Sequence, residues 1–317
     1  MPGAYRILYV AEADPEAAVL SSGALAYLVE AMPRARFTVV GSPDSAPLFA
    51  DLPRLERLIV MDAEGAGDWF ALWQQVRAVD WGLVVDLRGS TLWKRLKRQK
   101  RALKVTPNPG EHAVQAAARA VQFDETPPPR LYTSDETEAQ VAELIPPGDG
   151  PILAVGPGVD WMGKRWPAER FAKVAGALLA DDGPLAGGRL MIVGDETDRD
   201  EAHTIRLAAP RKRVIELQGK LTPLQTVAAV RRARLFLGAD SLWTQLAVAS
   251  GVPVLAVFGP SDDAWKGPWG GVTVRGDRTL DEYRALDPKL NQALQHMSDL
   301  QADRVLKAAK TLLAKTN

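Results

Sequence analysis

Short apolar runs alternate with amphipathic stretches along this chain, and their spacing sets the first expectations. Runs at 6–10, 36–40, 58–61 and 83–86 are rich in Val, Ile and Leu and too short for helices, so each reads as a buried strand. Between them, 22–31, 69–79 and the short stretch 47–52 carry apolar residues at helical spacing. A strongly basic segment at 92–100 is followed by a predicted strand at 103–105 and a helix at 111–121. A further helix over 134–144 ends in Ile145-Pro-Pro-Gly-Asp-Gly-Pro151, whose chain breakers mark a domain boundary. A second series then begins, with strands at 152–155, 189–193, 213–216, 235–237 and 253–258. Helices at 167–180, 198–207, 223–232 and from Asp240-Ser241 to Gly251 separate them. Residues 280–297 show no clear pattern, and 299–314 reads as a final helix with Val305, Ala308 and Leu312 on one face. Strand–helix alternation in both halves predicts the α/β class, with doubly wound parallel sheets.

Composition adds mostly exclusions. A length of 317 residues suits two domains. The 39 basic and 39 acidic residues cancel, which argues against a nucleic-acid partner. There is no cysteine, so disulfide and thiolate chemistry are excluded. The three histidines, His112, His203 and His296, are far apart in sequence, so neither a His-based metal site nor a cofactor is expected. The N-terminal segment lacks a cationic region followed by a long apolar run, and no apolar stretch approaches the roughly 20 residues that cross a bilayer. A reducing compartment is compatible with this composition.

Candidate chemistry lies where parallel strands end. In open α/β sheets ligands bind outside the carboxyl ends of the strands, and helix N-termini there favour phosphate. Pro157 and Gly158 shape the loop after strand 152–155, and Lys164 and Arg165 stand just before a helix, placed to hold a diphosphate. Asp240 and Ser241 open the helix after strand 235–237, and Gly259 and Ser261 follow strand 253–258. Asp195 and Glu196, after strand 189–193, offer carboxylates to ribose hydroxyls. Each has a plainer counterpart: a solvated basic loop, an ordinary helix cap, a turn. Lys94, Arg95, Lys97, Arg98, Lys100 and Arg101 form either a solvated face or a contact for an anionic acceptor or membrane surface, with Trp93 beside them. His112, near a helix start, reads as structural ahead of catalytic.

Taken in order, these residues resemble glycosyltransferase family 9, the ADP-heptose:lipopolysaccharide heptosyltransferases. Pro157-Gly158 with Lys164-Arg165-Trp166-Pro167 resembles the family's PGA…K-[RH]-W-P segment. The run Leu217-Gln-Gly-Lys-Leu-Thr222 is similar to its L-x-G-x-T-S/T turn, and Gly238-Ala-Asp-Ser241 to G-N-D-[ST]. Gly251-Val-Pro253 with Phe258-Gly-Pro-Ser261 is similar to G-x-P…[FY]-G-P-[TS]. In the first half, Asp86-Leu-Arg-Gly89 resembles D-L-[QH]-G, and His112 matches a histidine often found in that helix.

The resemblance implies a GT-B fold, two Rossmann-like domains facing a cleft. The implied division is an acceptor domain over 1–147, a nucleotide-sugar donor domain over 148–298, and a last helix in 299–317 packing back on the first domain. It implies metal-independent, inverting transfer of a sugar, heptose by resemblance, from a nucleotide-diphospho-sugar such as ADP-heptose. The acceptor would be an anionic glycolipid, a lipopolysaccharide core or other envelope glycan, met at the inner face of the inner membrane. Pro157, Gly158, Lys164, Arg165, Asp195, Glu196, Asp240, Ser241, Gln245, Gly259 and Ser261 would serve the donor. Arg88, Lys94, Arg95, Arg98 and His112 would serve the acceptor side.

Three positions depart from the family pattern. The Gly-Asp after the first strand, whose aspartate is the proposed base, is Glu16-Ala17 here, leaving Asp14 or Glu16 as candidate bases. In D-[ST]-G-x-x-H, Leu242 replaces the glycine and Gln245 the histidine. These changes motivate a rival reading, a catalytically silent binding or scaffold protein on the same frame. A third, a two-Rossmann phosphosugar epimerase, predicts turnover without an acceptor.

Overall fold

The computed structural model describes residues 5–292, 294 and 296–316; positions 293 and 295 of the unpatterned stretch, and the termini 1–4 and 317, lie outside the described residues. The chain divides into two compact units, Met1–Ser134 and Asp135–Asn317.

The first unit is built on five parallel strands: β1 (Arg6–Val10), β2 (Arg36–Gly41), β3 (Leu55–Val60), β4 (Trp81–Asp86) and β5 (Arg98–Leu103), in the order β3-β2-β1-β4-β5. β1 is central and apolar, with Ile7, Leu8, Tyr9 and Val10 fully buried, as a strand covered on both faces must be. On one face Leu8, Val10, Val84 and Ile59 pack with Leu72 and Val76 from the helix Ala66–Val76.

β5 differs from expectation. The sequence pattern predicts a strand at 103–105, whereas β5 occupies the second half of the basic run. Three consecutive residues of it, Gln99, Lys100 and Arg101, are exposed. Charge on an edge strand is tolerated because one side of its ladder already faces water. The long side chains are also used: Arg101, Arg98 and Lys94 place their cations 4.1, 4.9 and 5.6 Å from the Trp93 ring.

The second unit holds six parallel strands: β6 (Ile152–Gly156), β7 (Arg189–Ile192), β8 (Val214–Glu216), β9 (Leu235–Ala239), β10 (Val254–Phe258) and β11 (Val272–Arg275), in the order β11-β10-β9-β6-β7-β8. Both sheets thus run outward in one direction and then restart beside their first strand, the doubly wound pattern. β11 had no counterpart among the expected strands. Nor did the helix Leu280–Leu286, although Thr279 and Glu282 form the reciprocal cap that announces such a start.

The boundary also falls earlier than the breaker-rich segment suggested. The helix Asp135–Leu144 packs against the helix Pro223–Val230 of the second unit. There Glu138 meets Arg231 and Arg232 at 2.7 and 3.1 Å, and Gln225 donates to Gln140 at 2.8 Å. The final helix, Ala302–Lys315, sends Val305, Ala309, Leu312 and Leu313 into the core of the second unit, beside Val174 and Leu178 of the helix Ala168–Leu179.

Candidate functional site

In the second unit the strand order reverses between β6 and β9, so the loops leaving these two strands diverge and open a crevice. Two glycines, Gly156 and Gly238, stand side by side at their ends. A Cβ on Gly156 would lie 2.7 Å from the Phe236 ring and 3.2 Å from the Cβ of Trp243; one on Gly238 would lie 2.6 Å from Thr244 Oγ1. Their bareness lets the helix Leu242–Ser250 settle directly on the sheet, where Thr244 donates to the Ala239 carbonyl at 2.5 Å. The helix ends at Gly251, whose φ of 81° suits glycine.

Asp240 is fully buried at the head of this helix. Its Oδ2 lies 3.6 Å from the ammonium of Lys164, and its Oδ1 lies 3.0 Å from that of Lys266. Lys164 also meets Asp160 at 2.8 Å. The structure thus brings together Lys164 and Asp240, two residues far apart in sequence, across the crevice. Ser241 takes the N-cap position in extended conformation, but its hydroxyl makes no capping bond and is buried without a hydrogen-bond partner. Gln245 is fully buried; its Nε2 donates to the Lys266 carbonyl at 2.9 Å, and its Oε1 has no hydrogen-bond partner. Trp243 is buried and Leu242 half-buried.

The flanking loops are tightly tied. Asp198 Oδ2 accepts from the Asp195 amide at 2.8 Å. A Cβ on Gly158 would lie 2.1 Å from that same oxygen, which explains a glycine there. Burial raises the pKa of both Asp195 and Asp198. Glu196 pairs with Arg199, and Arg165 is held by Glu201 at 2.6 Å. Pro157 follows β6 directly. After β10, Arg275 donates to the carbonyls of Gly259 and Ser261, the latter at 2.8 Å, and meets Asp263 at 2.8 Å. The short helix Asp263–Lys266, capped by Asp262, then delivers Lys266. Sequence reasoning missed Lys266 because a lone lysine in a four-residue helix matches no motif.

The first unit has its own reversal, between β1 and β4. Arg88 crosses it: its Nε donates to the Ala11 carbonyl at 2.8 Å, and Nη1 lies 3.3 Å from Glu64. The Arg88 side chain is 2% exposed, and burial lowers its pKa. Asp86 is buried and accepts from the amides of Arg88 and Gly89 and from Ser90 Oγ. Glu12, two residues beyond β1, meets Lys104 at 2.9 Å, and burial raises its pKa despite that lysine. Of the two expected base candidates, Asp14 accepts from the Ala17 amide at 2.8 Å and caps the helix Pro15–Leu20, while Glu16 lies in its first turn. Glu12 matches no motif in the sequence, since the family's Gly-Asp position falls further along the loop, at Glu16-Ala17. His112 caps the helix Ala113–Ala120, its Nδ1 accepting from the Val114 amide at 3.2 Å. Lys94 and Arg98 lie over the Trp93 ring, and the neighbouring Arg95 carbonyl accepts from Trp73 Nε1 at 3.2 Å.

Among the described residues no group of three or more His, Asp or Glu is arranged to hold a metal ion, and no helix is long and apolar enough to cross a membrane.

The chain is 22% identical over 289 residues to lipopolysaccharide heptosyltransferase 3 of Escherichia coli, covering 79% of this chain and 82% of that protein. It is 27% identical over 146 residues to lipooligosaccharide heptosyltransferase 2 of Haemophilus influenzae, a match spanning only 45% of this chain and 40% of that protein. Among solved structures, E. coli ADP-heptose lps heptosyltransferase II superposes with a TM-score of 0.74 at 18% identity, covering 98% of this chain and 99% of that one. A family 9 glycosyl transferase from Veillonella parvula gives 0.74 at 20% identity, covering 98% and 97%. The fold is therefore GT-B. The family model for glycosyltransferase family 9 (heptosyltransferase) matches residues 77–275, well over half of the chain, and the protein belongs to that family.

Proposed function

We propose that this protein is an inverting glycosyltransferase that moves a heptose from ADP-heptose to a hydroxyl of a lipopolysaccharide core or related envelope glycan. The observation that carries the reading is the Lys164 ammonium, held 3.6 Å from buried Asp240 at the head of the helix Leu242–Ser250. The buried carboxylate fixes that ammonium beside a helix N-terminus, and the cation and the helix start both favour a diphosphate. Ser241 Oγ, buried and unbonded, supplies a further donor. Asp195 and Glu196 would meet the ribose; Pro157, Gly158, Arg165, Gly259 and Ser261 would shape the walls.

In the reaction, the acceptor oxygen forms the new bond to the anomeric carbon as the bond from that carbon to the phosphate oxygen breaks. ADP leaves with the electron pair, and the acceptor proton passes to a carboxylate. Lys164 and the helix start matter most as charge develops on the leaving oxygen. Of the carboxylates in the first loop we favour Glu12 over Asp14 and Glu16. It stands nearest the β1 terminus, and its burial raises its affinity for a proton. Arg88 and the Trp93 surface, with Lys94, Arg95 and Arg98, would meet the anionic part of the acceptor, and His112 would hold the adjoining helix. That surface also suits peripheral contact with the anionic inner face of the inner membrane, from the cytoplasmic side.

The test is calorimetry with ADP, followed by transfer from ADP-heptose to lipopolysaccharide from a heptose-deficient strain. The reading expects ADP binding and a heptosylated product. Absence of ADP binding overturns it. Binding without transfer to any acceptor selects the silent-protein reading, which the Ala17, Leu242 and Gln245 positions motivate.

A further inference from the structure

Gln245 and Lys266 come from different loops of the second unit, and the structure couples them. The helix Asp263–Lys266 is one turn long and leaves its last carbonyls without intrahelical donors. Gln245, fully buried in the neighbouring helix, donates its amide to the carbonyl of Lys266 itself. At the other end Arg275 grips Asp263 and the Ser261 carbonyl. Gly267 closes the turn, its amide donating to the Asp263 carbonyl at 2.8 Å. The backbone of Lys266 is therefore fixed from both sides, and its side chain reaches Asp240 at 3.0 Å.

The ammonium stands at a carboxylate that Lys164 approaches from the other loop, so the two cations bracket the head of the helix Leu242–Ser250. Lys164 is 9% exposed in its side chain and Lys266 22%, so the second cation is the more open to a guest. Two further polar atoms point to a ligand here: Ser241 Oγ and Gln245 Oε1 are buried without hydrogen-bond partners.

We infer that Lys266 is a second diphosphate-binding cation of this site and that Gln245 acts through it as a positioning residue. The inference rests on the diphosphate reading above. It gives Gln245, which stands where the family pattern has histidine, a task of its own: it holds the backbone that carries a charge instead of offering one.

The experiment is calorimetry of the full-length protein with ADP and, as the control lacking phosphate, adenosine. Lys266→Gln should weaken ADP about fivefold, the scale of a partly exposed charge-assisted contact, and leave adenosine unchanged. Lys266→Arg, which keeps the charge, should recover most of the loss. Gln245→Leu should weaken ADP about threefold, and the double variant should be no weaker than Lys266→Gln alone, because the two share one route. Wild-type binding of ADP with Lys266→Gln equally tight overturns the inference while leaving the diphosphate reading intact. Equal losses for ADP and adenosine also overturn it, since they would report a general disturbance. A double variant whose loss is the product of the single losses overturns the positioning role of Gln245. Because Lys266 is partly exposed, its variants test the idea even if Gln245→Leu does not fold.

Discussion

The two strand-order reversals of this molecule share a topology and differ in chemistry. In the second unit a buried acid, Asp240, is met by two lysines; in the first a buried base, Arg88, has Glu64, Glu12 and Asp86 around it. In each unit one long side chain ties the diverging loops together, Lys164 in one and Arg88 in the other. The same crevice can thus be made to hold an anion or to offer carboxylates, depending on which sign of charge is put at its centre. A transferase needs both kinds, a grip on a leaving diphosphate and a proton acceptor for a hydroxyl.

That contrast can be broken by experiment. The largest effect is expected at Glu12. Glu12→Gln should lower the transfer rate by about 10²–10⁴-fold, the usual contribution of a positioned base, with ADP affinity unchanged. Its pH dependence has a definite sign. A base works only when deprotonated, and burial raises Glu12 above its ordinary 4.5, so wild-type kcat should fall as pH drops through a value above 4.5. The variant should lose that acid limb; a limb that persists would move the role to Asp14, Glu16 or another group.

Next in size is Lys164→Ala, which should weaken ADP by about 2 kcal/mol, about 30-fold, with calorimetry as the measure. Unchanged affinity would remove the second unit's crevice from donor binding and dissolve the comparison. The smallest effect lies outside both crevices. Arg119 and the Asn108 amide hold Glu111 down to about 2 from 4.5. A depressed carboxylate contributes stability above its unfolded pKa and loses it as pH falls between the two values. Glu111→Gln should therefore slightly flatten the loss of thermal stability between pH 4.5 and about 2, with activity unaffected.

Much of this was readable from the residues. Parallel strands followed from short apolar runs between helices, and the loops after β6, β9 and β10 carried polar residues at the places where such sheets bind ligands. What local pattern could not show was partnership. Glu138 signals a helix, but nothing near it in sequence tells that Arg231 and Arg232 draw that helix into the second unit. The basic run reads as solvated charge until Trp93 is seen stacked beneath Arg98 and Arg101, within reach of a strand edge. Lys266 and Glu12 carry no motif; their significance comes from Asp240 and Lys104, which only the fold places beside them.

Arg275 has a last consequence. By bonding the Gly259 and Ser261 carbonyls and the Asp263 carboxylate, it leaves the loop after β10 little freedom to lose. A visitor to this rim would find its host already shaped, so capture would demand little reordering of the chain, and release would be set by the strength of the contacts themselves. Loosening that arginine would then show itself as slower arrival before it showed itself as faster departure.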